Sequence, residues 1–324
     1  MKKERIKADN LSAYYTLGNE VIKAVDKISF SANKSEILGI AGESGCGKST
    51  LIKVLYGFVK PPLTISEGRV LYNLGDREVN ILSNYPADQL RWKFASYIPQ
   101  ASMNVLNPTR RIKKHFLDII ATHNKSLQKN EANEMILKHI ERVGLPQEIL
   151  SSYPHQLSGG MRQRVVIALA TILNPKIIFA DEPTTALDVV IQRGILQLLK
   201  RIQKIQENLI FLVTHDMGAH AQITDRMAIM YAGTFVELAT TEDIFENPIH
   251  PYTNFLIESL PEIGDKKERP SIGGKPPSLR MPPDGCRFHP RCPFATHICK
   301  EKTPPFEEIA LNHYVACHMV KNLE

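Results

Sequence analysis

Residues 37–51 read "ILGIAGESGCGKSTL", and this stretch decides the fold. Ile37 to Ala41 form an unbroken apolar run, the pattern of a strand buried on both faces of a parallel sheet. The run ends in "GESGCGKST" (42–50), which matches G-x-x-x-x-G-K-[ST] after a strand and at the opening of a helix. Glycines let backbone N–H groups curl around phosphate oxygens without a Cβ in the way. Lys48 then supplies a point charge to the outer phosphates, Ser49 a ligand for Mg2+, and the helix N-terminus a positive potential. Gly42, Glu43, Ser44, Gly45, Cys46, Gly47, Lys48, Ser49 and Thr50 are therefore the candidate phosphate-binding loop, with Cys46 read as a small filler.

Working outward, two further apolar runs end in polar residues. "KIIFA" (176–180) stops at Asp181 and Glu182, and "LIFLVTH" (209–215) stops at a histidine. Strands whose carboxyl ends carry polar groups describe the ligand edge of an α/β sheet. Two adjacent acids there are hard to justify as packing, because unpaired buried carboxylates are expensive. Asp181 is placed to hold Mg2+ through water and Glu182 to polarise an attacking water, which with the loop gives Mg-nucleotide triphosphatase chemistry. A third element is "LSGGMRQR" (157–164), where Ser158, Gly159 and Gly160 directly precede the helical run "MRQRVVIALA". Hydroxyl, bare backbone and helix N-terminus converge there on an anion site. The intervening stretch, roughly 110–173, is mostly helical, and "NEANEMILKHIERVGL" (130–145) has helical apolar spacing.

Composition bounds the rest. A chain of 324 residues, 43% hydrophobic and 23% charged, is long enough for one large domain plus an appendage, or for two domains. Its net charge of +6 comes from 40 cationic against 34 anionic residues, a mixed surface instead of a dedicated nucleic-acid patch. "MKKERIKADN" is followed by no apolar h-region, and no apolar run approaches 18 residues, so neither a secretory leader nor a membrane span is expected. After about residue 260 the chain changes character. "GDKKERPSIGGKPPSLRMPPDG" (264–285) reads as a Gly/Pro-rich strap, and "CRFHPRCPFATHIC" (286–299) follows it. Cysteines at 286, 292, 299 and 317 are spaced x5, x6 and x17, loose for a structural zinc site built on close C-x2–4-C pairs. Four thiolates suit either Zn2+ or an iron–sulfur cluster by ligand type, and the open, Pro-interrupted spacing leans toward [4Fe–4S] at Cys286, Cys292, Cys299 and Cys317. His289, His297, His313 and His318 lie close enough in sequence to replace one thiolate. Such a tail has little apolar sequence, so a metal centre would act as a staple.

"LSGGMRQR" resembles the signature of ATP-binding-cassette (ABC) ATPases, and the matching parts occur in that family's order. Gln100 in "YIPQ" looks like the Q-loop, "ALD" (186–188) like the D-loop, His215 in "VTHD" like the switch histidine, and Tyr15 like the aromatic that stacks on adenine. Met161 stands where many members carry Gln, which leaves the two glycines unaffected. The resemblance implies ATP and Mg2+ as cofactors, with Mg2+ held through Ser49, Gln100 and Asp181. It further implies a head-to-tail dimer in which Ser158, Gly159 and Gly160 contact the ATP of the partner subunit, while Glu182 is the general base oriented by His215. The fold it implies is α/β: a P-loop ABC ATPase core with an inserted helical subdomain, and a small loop-rich four-cysteine C-terminal extension.

Segments outside the shared cassette narrow the resemblance. "SMNVLNPTRRI" (102–112), "ENPIHPYTNFLIESLP" (246–261) and the cysteine tail resemble the dipeptide/oligopeptide importer ATPases. Membership implies a nucleotide-binding domain over 1–260, with its helical subdomain at about 102–173, and an extension over 261–324. It implies a peripheral subunit on the cytoplasmic side of the membrane, docked on two permease subunits through a stretch near 102–115. A second homologous ATPase and, indirectly, an extracellular solute-binding protein complete the assembly, and no nucleic acid is expected. The alternatives are an exporter ATPase subunit and a nucleic-acid-processing ABC ATPase with a Cys-rich binding tail. The family resemblance favours [4Fe–4S] over Zn2+ in the tail.

Overall fold

The computed structural model describes residues 4–83, 87–100, 105–260 and 273–322. Residues 102–104 of the stretch expected to meet a permease, and 264–272 of the expected strap, lie outside them. The chain divides into two compact units. A helical unit comprises Met1–Lys2, Lys34–Ile37 and Pro86–Leu212, and a phosphate-loop unit comprises Lys3–Asn33, Leu38–Tyr85 and Val213–Glu324.

The phosphate-loop unit opens with β1 (Glu4–Leu17) and β2 (Glu20–Asn33), an antiparallel pair turned at Gly18. β3 (Ile37–Ala41) and α1 (Lys48–Leu55) flank the glycine loop, and every residue of β3 is buried, as its apolar run requires. β4 (Leu63–Asn73) and β5 (Glu78–Asn80) complete a four-stranded antiparallel sheet in the order β2-β1-β4-β5. Its buried face takes Ile6, Ala8, Leu11 and Ala13 from β1 and Val70 and Tyr72 from β4.

The helical unit begins with α2 (Ala87–Leu90) and β6 (Ala95–Ile98). Between β6 and β7 (Ile177–Asp181) lie α3 (Ile112–His123), α4 (Lys129–Arg142) and α5 (Gly159–Thr171), so the helical stretch expected from the sequence is present. Gln128 and Glu131 cap α4 reciprocally, and Ala132, Ile136 and Ile140, four residues apart, form its buried stripe. α5 is buried from Val165 to Ala170 on successive residues, the signature of a core helix. α6 (Val189–Gln206) leads to β8 (Leu209–Val213), and the strand order here is β8-β7-β6, with β6 and β7 parallel.

The chain then re-enters the phosphate-loop unit through α7 (Met217–Ile223), β9 (Arg226–Tyr231), β10 (Thr234–Thr240), α8 (Thr241–Glu246) and α9 (Pro251–Glu258). After the strap come α10 (His297–Glu301), β11 (Glu307–Ala310) and β12 (His313–Val315). Strands in this unit run β11-β12-β10-β9-β3, parallel only between β9 and β3. The tail therefore is not a separate lobe. Phe288, fully buried, packs in a cluster with Tyr231, Tyr252, Ile229 and Ile244. No helix among the described residues is long and apolar enough to cross a membrane.

Candidate active site

The loop after β3 has the geometry its glycines permit. Gly42 has φ 146° and a Cβ there would lie 2.1 Å from the Met230 carbonyl oxygen; Gly47 has φ 113° and a Cβ would lie 2.0 Å from the Ala24 carbonyl oxygen. Both contacts are with backbone, which cannot give way, so no other residue fits. Lys48, buried at 6% exposure, donates from Nζ to the carbonyls of Gly42 (2.7 Å) and Glu43 (2.8 Å), and lies 3.7 Å from Cys46 Sγ. Cys46 is a buried filler as expected, its thiol pushed up by burial and its carbonyl accepting from Gly233 N–H at 2.9 Å. The Tyr15 hydroxyl lies 3.2 Å from Thr50 Oγ1, so the aromatic expected at the nucleotide base is carried to the first turn of α1.

In the helical unit three expected residues come together. Asp181 ends β7 at 2% exposure and accepts from the Tyr97 hydroxyl at 2.7 Å. Glu182 follows with φ 46°, a left-handed conformation that costs a non-glycine residue about 1–2 kcal/mol and that a packed strand end would not select. Its Oε2 accepts from Gln100 Nε2 (3.1 Å) and Thr185 Oγ1 (2.8 Å). The carboxylate is thus held by two neutral donors, the Gln100 amide and the Thr185 hydroxyl.

Ser158 caps α5, its Oγ accepting from Met161 N–H at 3.3 Å, and its side chain is exposed. The glycines after it serve packing as well as anion approach: a Cβ on Gly160 would lie 2.8 Å from Ile191 Cγ2. His215 is exposed two residues beyond β8, and Asp216 caps α7 through Ala219 N–H. Buried His220, five residues on, is a different case. Its Nε2 meets the Thr214 carbonyl at 3.2 Å, and burial pushes it down to about 4, so it is a neutral core group. Gly39 in β3 makes room for it, since a Cβ there would lie 2.4 Å from its Nδ1.

Sequence reasoning missed the ring of residues around Glu43. Tyr252 Oη accepts from Glu43 N–H at 2.9 Å, and both terminal nitrogens of Arg291 reach the Glu43 carboxylate at 2.8 and 2.9 Å. Neither contact has a local sequence signal, being 209 and 248 residues apart in the chain.

In the tail one expectation finds no support. All five cysteines are free thiols, and among the described residues no group of three or more His, Cys, Asp or Glu side chains is placed to hold a metal ion. Cys286, Cys292, Cys299 and Cys317 do share a neighbourhood: burial pushes Cys286 up to about 11, with smaller contributions from the other three. Cys292 and Cys317 are raised too, again chiefly by burial. The expected iron–sulfur or Zn2+ site is not supported among the described residues. The four histidines offered as replacements each have another partner, His313 the Glu237 carboxylate, His318 the Lys302 carbonyl, His289 the Cys286 carbonyl and His297 the Glu301 carboxylate at 3.5 Å. In the stretch expected to meet a permease, Arg110 and Lys114 both reach Asp118, which neutralises part of its basic run.

Phosphate loop, acidic strand end and serine-glycine helix start define the class, that of ABC ATPases. Residues 25–185 match the ABC transporter family, and residues 236–299 match the oligopeptide/dipeptide transporter C-terminal region. The chain is 40% identical to the dipeptide transport ATP-binding protein DppD of Caldanaerobacter subterraneus subsp. tengcongensis, covering 97% of this chain and 96% of that one. It is 41% identical to the oligopeptide transport ATP-binding protein AppF of Bacillus subtilis, over 92% and 90% of the two chains. The dimeric post-hydrolysis structure of the ATP-binding cassette MJ0796 bound to ADP and Pi aligns with TM-score 0.63 at 28% identity, covering 73% of this chain and 98% of that one. The chain belongs to the dipeptide/oligopeptide transport ATP-binding protein family of ABC ATPases.

Proposed function

We propose that the chain is the ATP-hydrolysing subunit of an importer for dipeptides or oligopeptides. The observation that carries this reading is the likeness to dipeptide and oligopeptide transport ATP-binding proteins along nearly the whole chain, C-terminal region included. In this reading it sits at the cytoplasmic face of the membrane on two permease subunits, pairs with a second homologous ATPase, and receives solute from an extracellular binding protein. Residues 1–260 form the nucleotide-binding part, with a helical subdomain at about 102–173, and 261–324 the extension. No observation favours the exporter or nucleic-acid alternatives.

ATP is the substrate of the loop Gly42–Thr50, with Tyr15 against the adenine and Lys48 on the outer phosphates. Ser49, Gln100 and Asp181 are hard oxygen donors of the kind Mg2+ takes, and Asp181 is a buried carboxylate of the charge such an ion calls for. When bound, Mg2+ offsets phosphate charge. Glu182 abstracts a proton from the attacking water, and its bonds to Gln100 and Thr185 support this role because they hold the carboxylate in one orientation. His215 orients that assembly. Ser158, Gly159 and Gly160 contact the ATP of the partner subunit, so ATP closes the dimer and hydrolysis reopens it, rocking the permeases. The iron–sulfur reading of the four cysteines stays outside this proposal because no metal-holding group is found among the described residues; iron, sulfide and zinc analysis of anaerobically purified protein decides that point.

The test is Glu182→Gln. It retains ATP binding and lowers hydrolysis by at least about 100-fold, the scale of a lost general base. Hydrolysis at the native rate refutes the assignment.

A further inference from the structure

We propose that Arg291, in the cysteine-bearing tail, positions the phosphate loop through Glu43 and so sets the affinity for the nucleoside triphosphate; this rests on the ATP-binding reading of residues 42–50. Glu43 is the second residue of the loop, and each of its polar groups has a partner. Its N–H donates to Tyr252 Oη at 2.9 Å, its carbonyl accepts from Lys48 Nζ at 2.8 Å, and its carboxylate takes a two-pronged bond from Arg291 at 2.8 and 2.9 Å. Glu43 therefore links the tail, through Arg291, to Lys48. The cation that meets the phosphates takes its bearing from the Gly42 and Glu43 carbonyls, so whatever fixes residue 43 fixes Lys48.

Arg291 is built for that task. Its side chain is only 5% exposed. Nε donates to the Gly273 carbonyl at 2.9 Å, one terminal nitrogen reaches the Tyr231 hydroxyl at 3.2 Å, and the guanidinium carbon lies 5.9 Å from the centre of the Tyr231 ring. A planar fork held on three sides presents a fixed bidentate face to a carboxylate, which a lysine could not reproduce. The tail bearing it is anchored on either side of the fork. Phe288 is fully buried against Tyr231 and Tyr252, and Arg287 pairs with Asp26 and donates to the Ala232 carbonyl.

The physical consequence is preorganisation. A loop with glycines at 42, 45 and 47 has much conformational freedom to lose when it closes on phosphate. Holding residue 43 beforehand removes part of that loss from the binding step. Arg291 touches no substrate in this account, so it is a positioning residue and its signature is in affinity, not in turnover.

The experiment measures a fluorescent ATP analogue binding to the full-length protein, and the ATP dependence of hydrolysis. Arg291→Ala raises Kd and KM about tenfold, the scale of one charge-assisted bidentate contact, while kcat stays within about twofold. A merely structural role would instead lower the active fraction, and hence apparent kcat, at unchanged KM. Arg291→Lys, keeping the charge without the fork, falls between native and Ala. Glu43→Gln leaves the guanidinium and its contacts to Gly273 and Tyr231 in place, raises Kd to the same degree, and adds nothing when combined with Arg291→Ala. It also covers the case in which Arg291→Ala fails to fold. Native affinity in Arg291→Ala or Glu43→Gln, or effects that add in the double variant, overturns the proposal. Lys48→Ala is the control for the underlying reading: if it binds the analogue at native affinity, the loop is not the nucleotide site and that reading falls first.

Discussion

Replacing Phe288 by Ala tests whether the tail is part of the core of its unit or an attachment to it. The ring is fully buried, edge-on to Tyr231 (centroids 5.2 Å, planes at 86°) and tilted against Tyr252 at 5.5 Å and His250 at 5.7 Å. Truncation removes roughly 130 Å² of buried apolar surface, about 3 kcal/mol at ~25 cal/mol per Å². Loss of the edge-to-face contact adds about 1 kcal/mol. The expected cost is thus about 4 kcal/mol, inside the usual range for Phe→Ala in a core, and Phe288→Leu, which keeps most of the volume, costs under about 1.5 kcal/mol. The single tryptophan, Trp92, belongs to the helical unit, so its fluorescence is the wrong probe. Urea unfolding followed by circular dichroism reads the total, and amide hydrogen exchange over residues 286–299 reads the tail. A loss below about 1 kcal/mol with unchanged exchange protection would refute the reasoning, because a ring so enclosed cannot be removed cheaply.

Two further outcomes follow from buried groups. His139, His220 and His250 are each pushed down to about 4, chiefly by burial, against an ordinary value of 6.5. The unfolded chain therefore binds more protons between pH 6.5 and 4; stability is complete above 6.5 and falls with pH through that window by about 1.4 kcal/mol per unit for each histidine. Imidazole resonances followed by NMR should titrate well below pH 5.5, and midpoints near 6.5 would contradict this. Gly160→Ala places a methyl 2.8 Å from Ile191 Cγ2 and costs about 1–3 kcal/mol by overpacking, relieved in the G160A/I191A double variant. A single variant of native stability in chemical denaturation would show that Ile191 simply turns aside.

What could be read in advance was local. The apolar run at 37–41 became β3, and the run at 209–215 became β8 over Leu209–Val213, because a strand buried on both faces leaves an unbroken hydrophobic run. The run at 176–180 became β7 shifted one residue onward, over Ile177–Asp181. The phosphate loop was legible because steric limits at Gly42 and Gly47 write themselves into residue type. β1 and β2, with alternation broken by register shifts near Leu11 and Ala13, left no clean period to follow. The clasp on Glu43 was invisible for another reason: nothing in "CRFHPRCP" marks Arg291 as the partner of a residue 248 positions earlier. There the cysteines drew the reading toward a metal that the described residues do not support, while a phenylalanine and two arginines anchor the tail.

The end of the chain has one more consequence, for how copies of the protein treat each other. β12 pairs with β10 through Glu237–Val315 and Leu238–Tyr314, and the Ala316 N–H donates to the Val236 carbonyl at 2.8 Å. Without those residues, β10 would present a bare hydrogen-bonding rim beside buried Phe235, Val236 and Leu238, a ready template for strand addition by a neighbouring molecule. The fully buried Glu237 carboxylate would also lose His313, which lies 2.7 Å from it. The last strands thus act as a hem that keeps the fabric of the sheet from being knitted onto the next one, so a chain trimmed after Glu301 is expected to become sticky before it becomes inactive.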